Sequence, residues 1–162
     1  MGHQQPHKIC IIDGIRFASE SEGRRYTELK YMKKVGIISD FECQPKFVLD
    51  EAFRKCPSCN EIQEHVPGSQ KKMHTHCRKC GEKMEYWDPL EYFADFKLIY
   101  PDGKIQVEDV KGSLKFLDPV FKQKWRMWER QHPGMRLQLV VMPPVRKKKM
   151  AMKVPSKSGR RK

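Results

Sequence analysis

The chain has 162 residues, 38% of them hydrophobic, and a formal net charge of +13. That length suits one ordinary domain with a small insert, and the charge points to a polyanionic partner. No run of about twenty apolar residues occurs, which excludes a transmembrane helix.

The opening Met1-Gly2-His3-Gln4-Gln5 has no signal-peptide core, so a reducing cytoplasm is the expected compartment. Taken in order, Ile9 to Phe17 predicts a β-hairpin turning at Asp13-Gly14, a favoured tight-turn pair. Ser19 can cap a helix and Glu22, three residues on, can reach back to it. Tyr26, Leu29, Met32 and Val35 follow at helical spacing, and Gly36 supplies a stop. Phe41 to Leu49 reads as a strand. Residues 53–87 are polar, hold two Cys-x-x-Cys pairs and read as an inserted lobe. The main domain, residues 1–52 and 88–144, resumes with a strand over Tyr92 to Tyr100. Pro101-Asp102-Gly103 turns it into a second strand, Lys104 to Lys111. Asp118-Pro119 opens a helix whose Phe121, Trp125 and Trp128 line one face as core. His132-Pro133-Gly134 ends it, and Met135 to Met142 is a last apolar strand. Residues 145–162 form a basic tail, expected to be a disordered arm. From Pro143 onward there are nine Lys or Arg and no acid. The element order predicts an α/β fold, a mixed central sheet flanked by helices.

Side chains alternate along a strand, so Asp109 and Lys111 share a face while Glu108 points away. The Pro101-Asp102-Gly103 turn can bring Asp95 near Asp109. Two converging carboxylates repel and raise one pKa unless a cation joins them. A hard divalent ion with oxygen ligands resolves this, and phosphodiester cleavage uses such an ion. Lys111 can orient or deprotonate a water, or offset charge on a phosphate. The plain alternative is a structural ion pair at the sheet edge. For Glu22 the plain alternative is the capping box, worth about 1 kcal/mol.

The pattern of Asp95, then Asp109-Val110-Lys111, resembles the PD-(D/E)xK nuclease superfamily. Phe17-Ala18-Ser19-Glu20-Ser21-Glu22 resembles the helix start that supplies the first metal-site acid in the endonuclease I group of phage Holliday-junction resolvases. Ala94-Asp95-Phe96, Pro101-Asp102-Gly103, Val107 through Gly112 and Gln131-His132-Pro133 extend that resemblance. The chain is also similar to small phage proteins of unknown function, through Asp13-Gly14-Ile15-Arg16-Phe17, Gln44-Pro45-Lys46-Phe47 and Glu108-Asp109-Val110-Lys111-Gly112. The resemblance implies a restriction-endonuclease-like fold and a Mg²⁺- or Mn²⁺-dependent endonuclease of branched DNA. Glu22, Asp95 and Asp109 would be the metal ligands and Lys111 the catalytic amine. It also implies a C2 homodimer, since two symmetric strands must be cut. Ala94 departs from the proline of the family motif, and the cysteine insert departs from the endonuclease I relatives.

Cys56-Pro57-Ser58-Cys59, seventeen residues, then Cys77-Arg78-Lys79-Cys80 fits the spacing of a zinc ribbon. Four thiolates would close a structural Zn²⁺ site, leaving His65, His74 and His76 as surface residues. Cys10 and Cys43 read as small buried hydrophobes. Lys71, Lys72, Arg78, Lys79 and Lys83 make the lobe basic. With Arg24, Arg25 and Lys30 on the first helix and Arg146, Lys147, Lys148 and Lys149 in the tail, they are the candidate DNA contacts. Two other readings stand beside the resolvase: a nickase or transposon-end cutter of the same fold, and a non-catalytic zinc-ribbon DNA-binding protein.

Overall fold

In the computed structural model, which describes residues 8–115 and 117–142, Asp13 (φ +53°) and Gly14 (φ +79°) turn strand β1 (Cys10–Ile12) back onto β2 (Ile15–Phe17). Both turn residues need the left-handed backbone, which Asp tolerates and Gly adopts freely. Ser19 then caps α1 (Glu20–Lys34), its hydroxyl accepting from the Glu22 N–H. Glu20 and Glu22 lie in the first turn and Lys33 and Lys34 in the last, matching the helix dipole. Gly36 (φ +76°) ends the helix, its N–H donating to the Lys33 carbonyl at 3.2 Å.

The two long strands expected over 41–49 and 92–100 each come out as a pair. β3 (Asp40–Cys43) and β4 (Lys46–Asp50) are separated at Gln44, whose φ is +53°, and Pro45. Opposite them, β8 (Leu90–Phe93) and β9 (Phe96–Ile99) are separated at Ala94 and Asp95. The breaks face each other. Gln44 N–H donates to the Asp95 carbonyl at 2.9 Å and Ala94 N–H to the Pro45 carbonyl at 3.1 Å. A positive φ beside a proline cannot continue a flat ladder, so the paired strands bend together. β3 stays in the main sheet on β9, and β4 pairs with β8 as a separate antiparallel arm.

The main sheet runs β11-β10-β9-β3, with β10 (Ile105–Lys111) antiparallel to β9 and parallel to β11 (Leu137–Val141). The parallel pair is joined through α3 (Pro119–Gln131), which Asp118 caps by accepting from the Val120 and Phe121 N–H groups. One face of the sheet packs Phe96, Leu98 and Val110 against Phe17 and against Tyr26 and Leu29 of α1. The other face packs Val107 and Leu137 with Leu49, Tyr92 and Trp128. Trp128 is wholly buried, and its indole N–H donates to the Met135 carbonyl at 2.7 Å. Phe121 and Trp125 pack beside it, so the aromatic stripe of α3 is core. Cys10 and Cys43 are half-buried against the α1 face.

At the far end of the β4/β8 arm the chain forms a three-stranded antiparallel sheet, β6-β5-β7, from Phe53–Lys55 (β5), Ile62–Glu64 (β6) and Glu85–Trp87 (β7). A single helical turn, α2 (Lys72–Thr75), lies within it. The fold is therefore mixed α/β with several sheets and few helices. No helix among the described residues is long and apolar enough to cross a membrane.

Candidate functional site

Asp95 sits at the bend between β8 and β9, so strand alternation does not set its direction. Its backbone N–H donates to the Glu108 carbonyl at 3.1 Å, and its carboxylate accepts from the Val110 N–H at 2.6 Å. The bend thus turns the Asp95 carboxylate onto β10, beside Asp109. Asp109 is buried, and the buried phenol of Tyr92 donates to its Oδ2 at 2.5 Å. The Lys111 ammonium pairs with Asp109 Oδ1. That oxygen is buried and has no partner of hydrogen-bond geometry among the described residues. The Lys111 ammonium also lies 4.0 Å from the centre of the Phe121 ring.

Burial pushes the Asp95 carboxyl up to about 7. The charge on Asp109 adds to this, the Val110 N–H opposes it, Glu22 pushes it further and Lys111 pulls it back. The Tyr92 phenol is raised well above its ordinary range, first by burial and then by Asp109, so it remains a donor at neutral pH. The N-terminus of α1 is tied to this end of the sheet because Ser21 donates to the Met142 carbonyl at 2.7 Å. Glu22 is near enough for its charge to act on Asp95. Its carboxylate makes the capping box, accepting from the Ala18 N–H at 2.9 Å and the Ser19 hydroxyl at 2.8 Å. Asp95, Asp109 and Lys111 are brought together, with Glu22 at their edge. The three acids do not close fully. Among the described residues, only the four cysteines form a set of three or more Cys, His, Asp or Glu with donor atoms all within 4.8 Å.

Glu108, on the opposite face of β10, is almost completely buried and takes a two-point salt bridge from Arg25. Arg25 Nε and Nη2 each donate to it at 2.8 Å, and the Gln106 amide donates at 2.9 Å. Arg25, expected as a DNA contact, is therefore committed inward, and it also pairs with Glu28 at 3.0 Å. Arg24 donates to Ser21 Oγ and to the Met142 carbonyl. Lys30 pairs with Asp13 at 2.6 Å. The surface cations of α1 thus brace this end of the fold. Arg146, Lys147, Lys148 and Lys149 lie outside the described residues.

Sequence reasoning missed Tyr92 as the partner of Asp109, and Arg25 as the partner of Glu108. A Tyr seventeen residues from its acid and an Arg eighty-three from its acid leave no local spacing to read.

Cys56, Cys59, Cys77 and Cys80 form the second cluster. Two knuckles present them. In one, Asn60 (φ +59°) donates its N–H to the Cys56 carbonyl at 3.0 Å; in the other, Gly81 (φ +75°) does the same to Cys77 at 2.9 Å. Sulfur pairs across the knuckles stand 3.4 to 3.6 Å apart. That is close to the edge of about 3.8 Å for a tetrahedron with Zn–S bonds of about 2.3 Å. The four thiols could hold one metal ion such as zinc. Burial pushes the Cys77 thiol up, but the N–H groups of Cys80 and Lys79 outweigh it and hold the pKa down to about 7. His74 Nδ1 contacts the Ser69 hydroxyl and His76 Nδ1 the Thr75 hydroxyl, so each has a local partner. Lys71, Lys72, Arg78, Lys79 and Lys83 are all exposed.

No curated protein and no solved structure matches the chain. A family model does match, over residues 3–149, and the chain accordingly belongs to the family described as a protein of unknown function (DUF1064).

Proposed function

We propose that this protein is a divalent-metal-dependent DNA endonuclease of the PD-(D/E)xK kind, acting on branched DNA such as four-way junctions. The observation that carries the reading is the meeting of Asp95 and Asp109 at the β8/β9 bend, with the Lys111 ammonium paired to Asp109. Two carboxylates held side by side, with one ammonium paired to Asp109, are under-neutralised. Such a set suits a hard cation, Mg²⁺ or Mn²⁺. Asp95 and Asp109 would hold it. Glu22 would join them, because each of its oxygens keeps a further lone pair beyond its capping hydrogen bond. When bound, such an ion polarises a phosphate and lowers the pKa of a water.

The chain's own residues do the rest. Tyr92 fixes the Asp109 carboxylate through Oδ2, and the ion would share Oδ1 with the Lys111 ammonium. Lys111 offers an ammonium where a scissile phosphate would gather charge, and Phe121 limits its travel. Ser21 and the Arg25–Glu108 pair hold α1, and so Glu22, in register with β10. The mixed sheet with a helix on each face supports a restriction-endonuclease-like core. The four thiols support a structural zinc that folds the lobe. The branched substrate and a C2 homodimer follow from the resemblance to the resolvases.

The test incubates the purified protein with linear, nicked, flapped and four-way DNA, with and without Mg²⁺. Mg²⁺-dependent cutting of the four-way DNA is expected. Asp109→Asn and Lys111→Ala should each lower cutting at least a hundredfold while binding persists, measured by gel and by anisotropy. Equal cutting of linear duplex would instead indicate a nickase or transposon-end cutter. One observation favours a second reading: both Glu22 oxygens accept capping hydrogen bonds and the three acids do not close on a point. A non-catalytic zinc-ribbon DNA-binding protein would bind all of these substrates and cut none under any divalent ion.

A further inference from the structure

β7 carries two adjacent aromatic residues, Tyr86 and Trp87, each about half exposed (45% and 50%). Neighbouring strand residues point to opposite faces. The two faces of the small sheet differ in chemistry. On one, Trp87 stacks on Phe53 with rings 5.8 Å apart and nearly parallel. The register puts Glu64 opposite Phe53 and Glu85 and Ile62 opposite Lys55, so this face is largely apolar with two acids and one lysine on it. On the other face, Tyr86 meets the guanidinium of Arg54, 5.5 Å from the ring centre, and the His65 ring at 4.7 Å. Gln63 shares that face and accepts from the backbone N–H of Arg78, on the second knuckle, at 2.8 Å.

Arg54 is half-buried. Among the described residues its guanidinium has no ion pair and no hydrogen bond, only the Tyr86 ring. Buried His65 Nδ1 likewise has no hydrogen-bond partner among the described residues. Arg25, by contrast, meets two carboxylates. A partly buried guanidinium without a counter-charge is costly unless an anion completes it. Planar donors beside an exposed aromatic ring suit a phosphodiester and the base next to it.

We infer that the Arg54–Tyr86–His65 face of the lobe is a binding site for a DNA phosphate and its adjoining unpaired base, and that the Phe53–Trp87 face is not. Arg54 holds the phosphate with His65 beside it, and Tyr86 takes the base on its exposed surface. Unpaired bases occur where a DNA branch opens, so this site would recognise the junction while the acidic cluster cuts. The inference rests on the reading of the protein as one that acts on DNA.

The test uses the full-length, zinc-loaded protein without added Mg²⁺, so that no cutting occurs. Anisotropy follows a labelled four-way junction and a labelled oligothymidine. Arg54→Ala should weaken both roughly tenfold and lower the log–log salt slope by one phosphate contact, about 0.9 for the junction and about 0.7 for oligothymidine. Tyr86→Ala should weaken oligothymidine roughly tenfold with the slope unchanged, and Tyr86→Phe should bind as wild type. Trp87→Ala should bind as wild type. Zinc content and circular dichroism check each lobe; if Arg54→Ala loses zinc, Arg54→Gln carries the same expectation. Unchanged binding in the Arg54 and Tyr86 variants overturns the site while leaving the nuclease reading intact. Equal losses in Trp87→Ala and Tyr86→Ala also overturn it, since they indicate general damage to the lobe. A wild-type protein that binds neither DNA overturns both.

Discussion

Residue 108 and residue 109 are neighbours on β10 with opposite duties, and the backbone decides which is which. Glu108 points to the α1 face, where Arg25 neutralises it out of water. Removing one partner of such a pair leaves an uncompensated buried charge and costs about 3–5 kcal/mol. Arg25→Ala should therefore lower unfolding stability by about that amount in urea titrations, whereas Glu108→Ala leaves Arg25 its Glu28 partner and should cost less. The double change Arg25→Met with Glu108→Leu should recover most of it. Asp95 makes a prediction of the opposite kind. Its folded-state pKa of about 7 lies above the ordinary 3.8, so the folded chain keeps a proton that the unfolded chain gives up. The resulting stabilisation is full below about pH 4 and is lost as pH rises to about 7, a few kcal/mol in all. Melting temperature without divalent ions should fall over that window, and Asp95→Asn should flatten the curve. Mg²⁺ competes with that proton, so the stabilisation it confers should be larger at pH 8 than at pH 5.5.

Among the elements, the β4/β8 arm matters most, because the chain needs it to carry the cysteine lobe away from the sheet without breaking the ladder. The lobe's own buried set is only Cys56, Cys77 and Met84, with Cys59 packed against it. So few apolar groups cannot offset the chain entropy of about thirty residues, and a metal held by the four thiols would supply the difference. Cys59→Ser, or a strong chelator, should abolish the protection of β5–β7 amides from hydrogen exchange. Amides of β9, β10 and β11 should stay protected, since their core lies between α1 and α3.

For the molecule as a whole, the proposed function makes the balance of charge the feature that would set how DNA is met. Nine of the basic residues follow Pro143, in a stretch with no acid. A chain ending at Pro144 should bind duplex DNA more weakly and with a shallower salt dependence, about 0.9 lost for each phosphate contact removed. Junction cutting per bound complex should be little changed, because the acidic cluster is drawn from residues 22 to 111. Anisotropy over a salt series and single-turnover cutting measure the two effects separately.

Local signals were sufficient for much of this. The Asp13-Gly14 turn, the Ser19 and Asp118 caps, the Gly36 stop and the paired Cys-x-x-Cys knuckles act over a few residues, so their chemistry is written in short spacings. The alternation that pairs Asp109 with Lys111 and sends Glu108 away is equally local. Contacts between distant segments could not be read this way. Two facing breaks, at Gln44-Pro45 and Ala94-Asp95, bend paired strands only because the strands lie side by side, and that bend aims Asp95 at Asp109. Whether Arg25 meets DNA or Glu108, and which phenol holds Asp109, depends on long-range packing. Sequence determined what each residue could do; the tertiary structure decided which partner it had, because partners far apart in the chain meet only after the sheet and helices have packed.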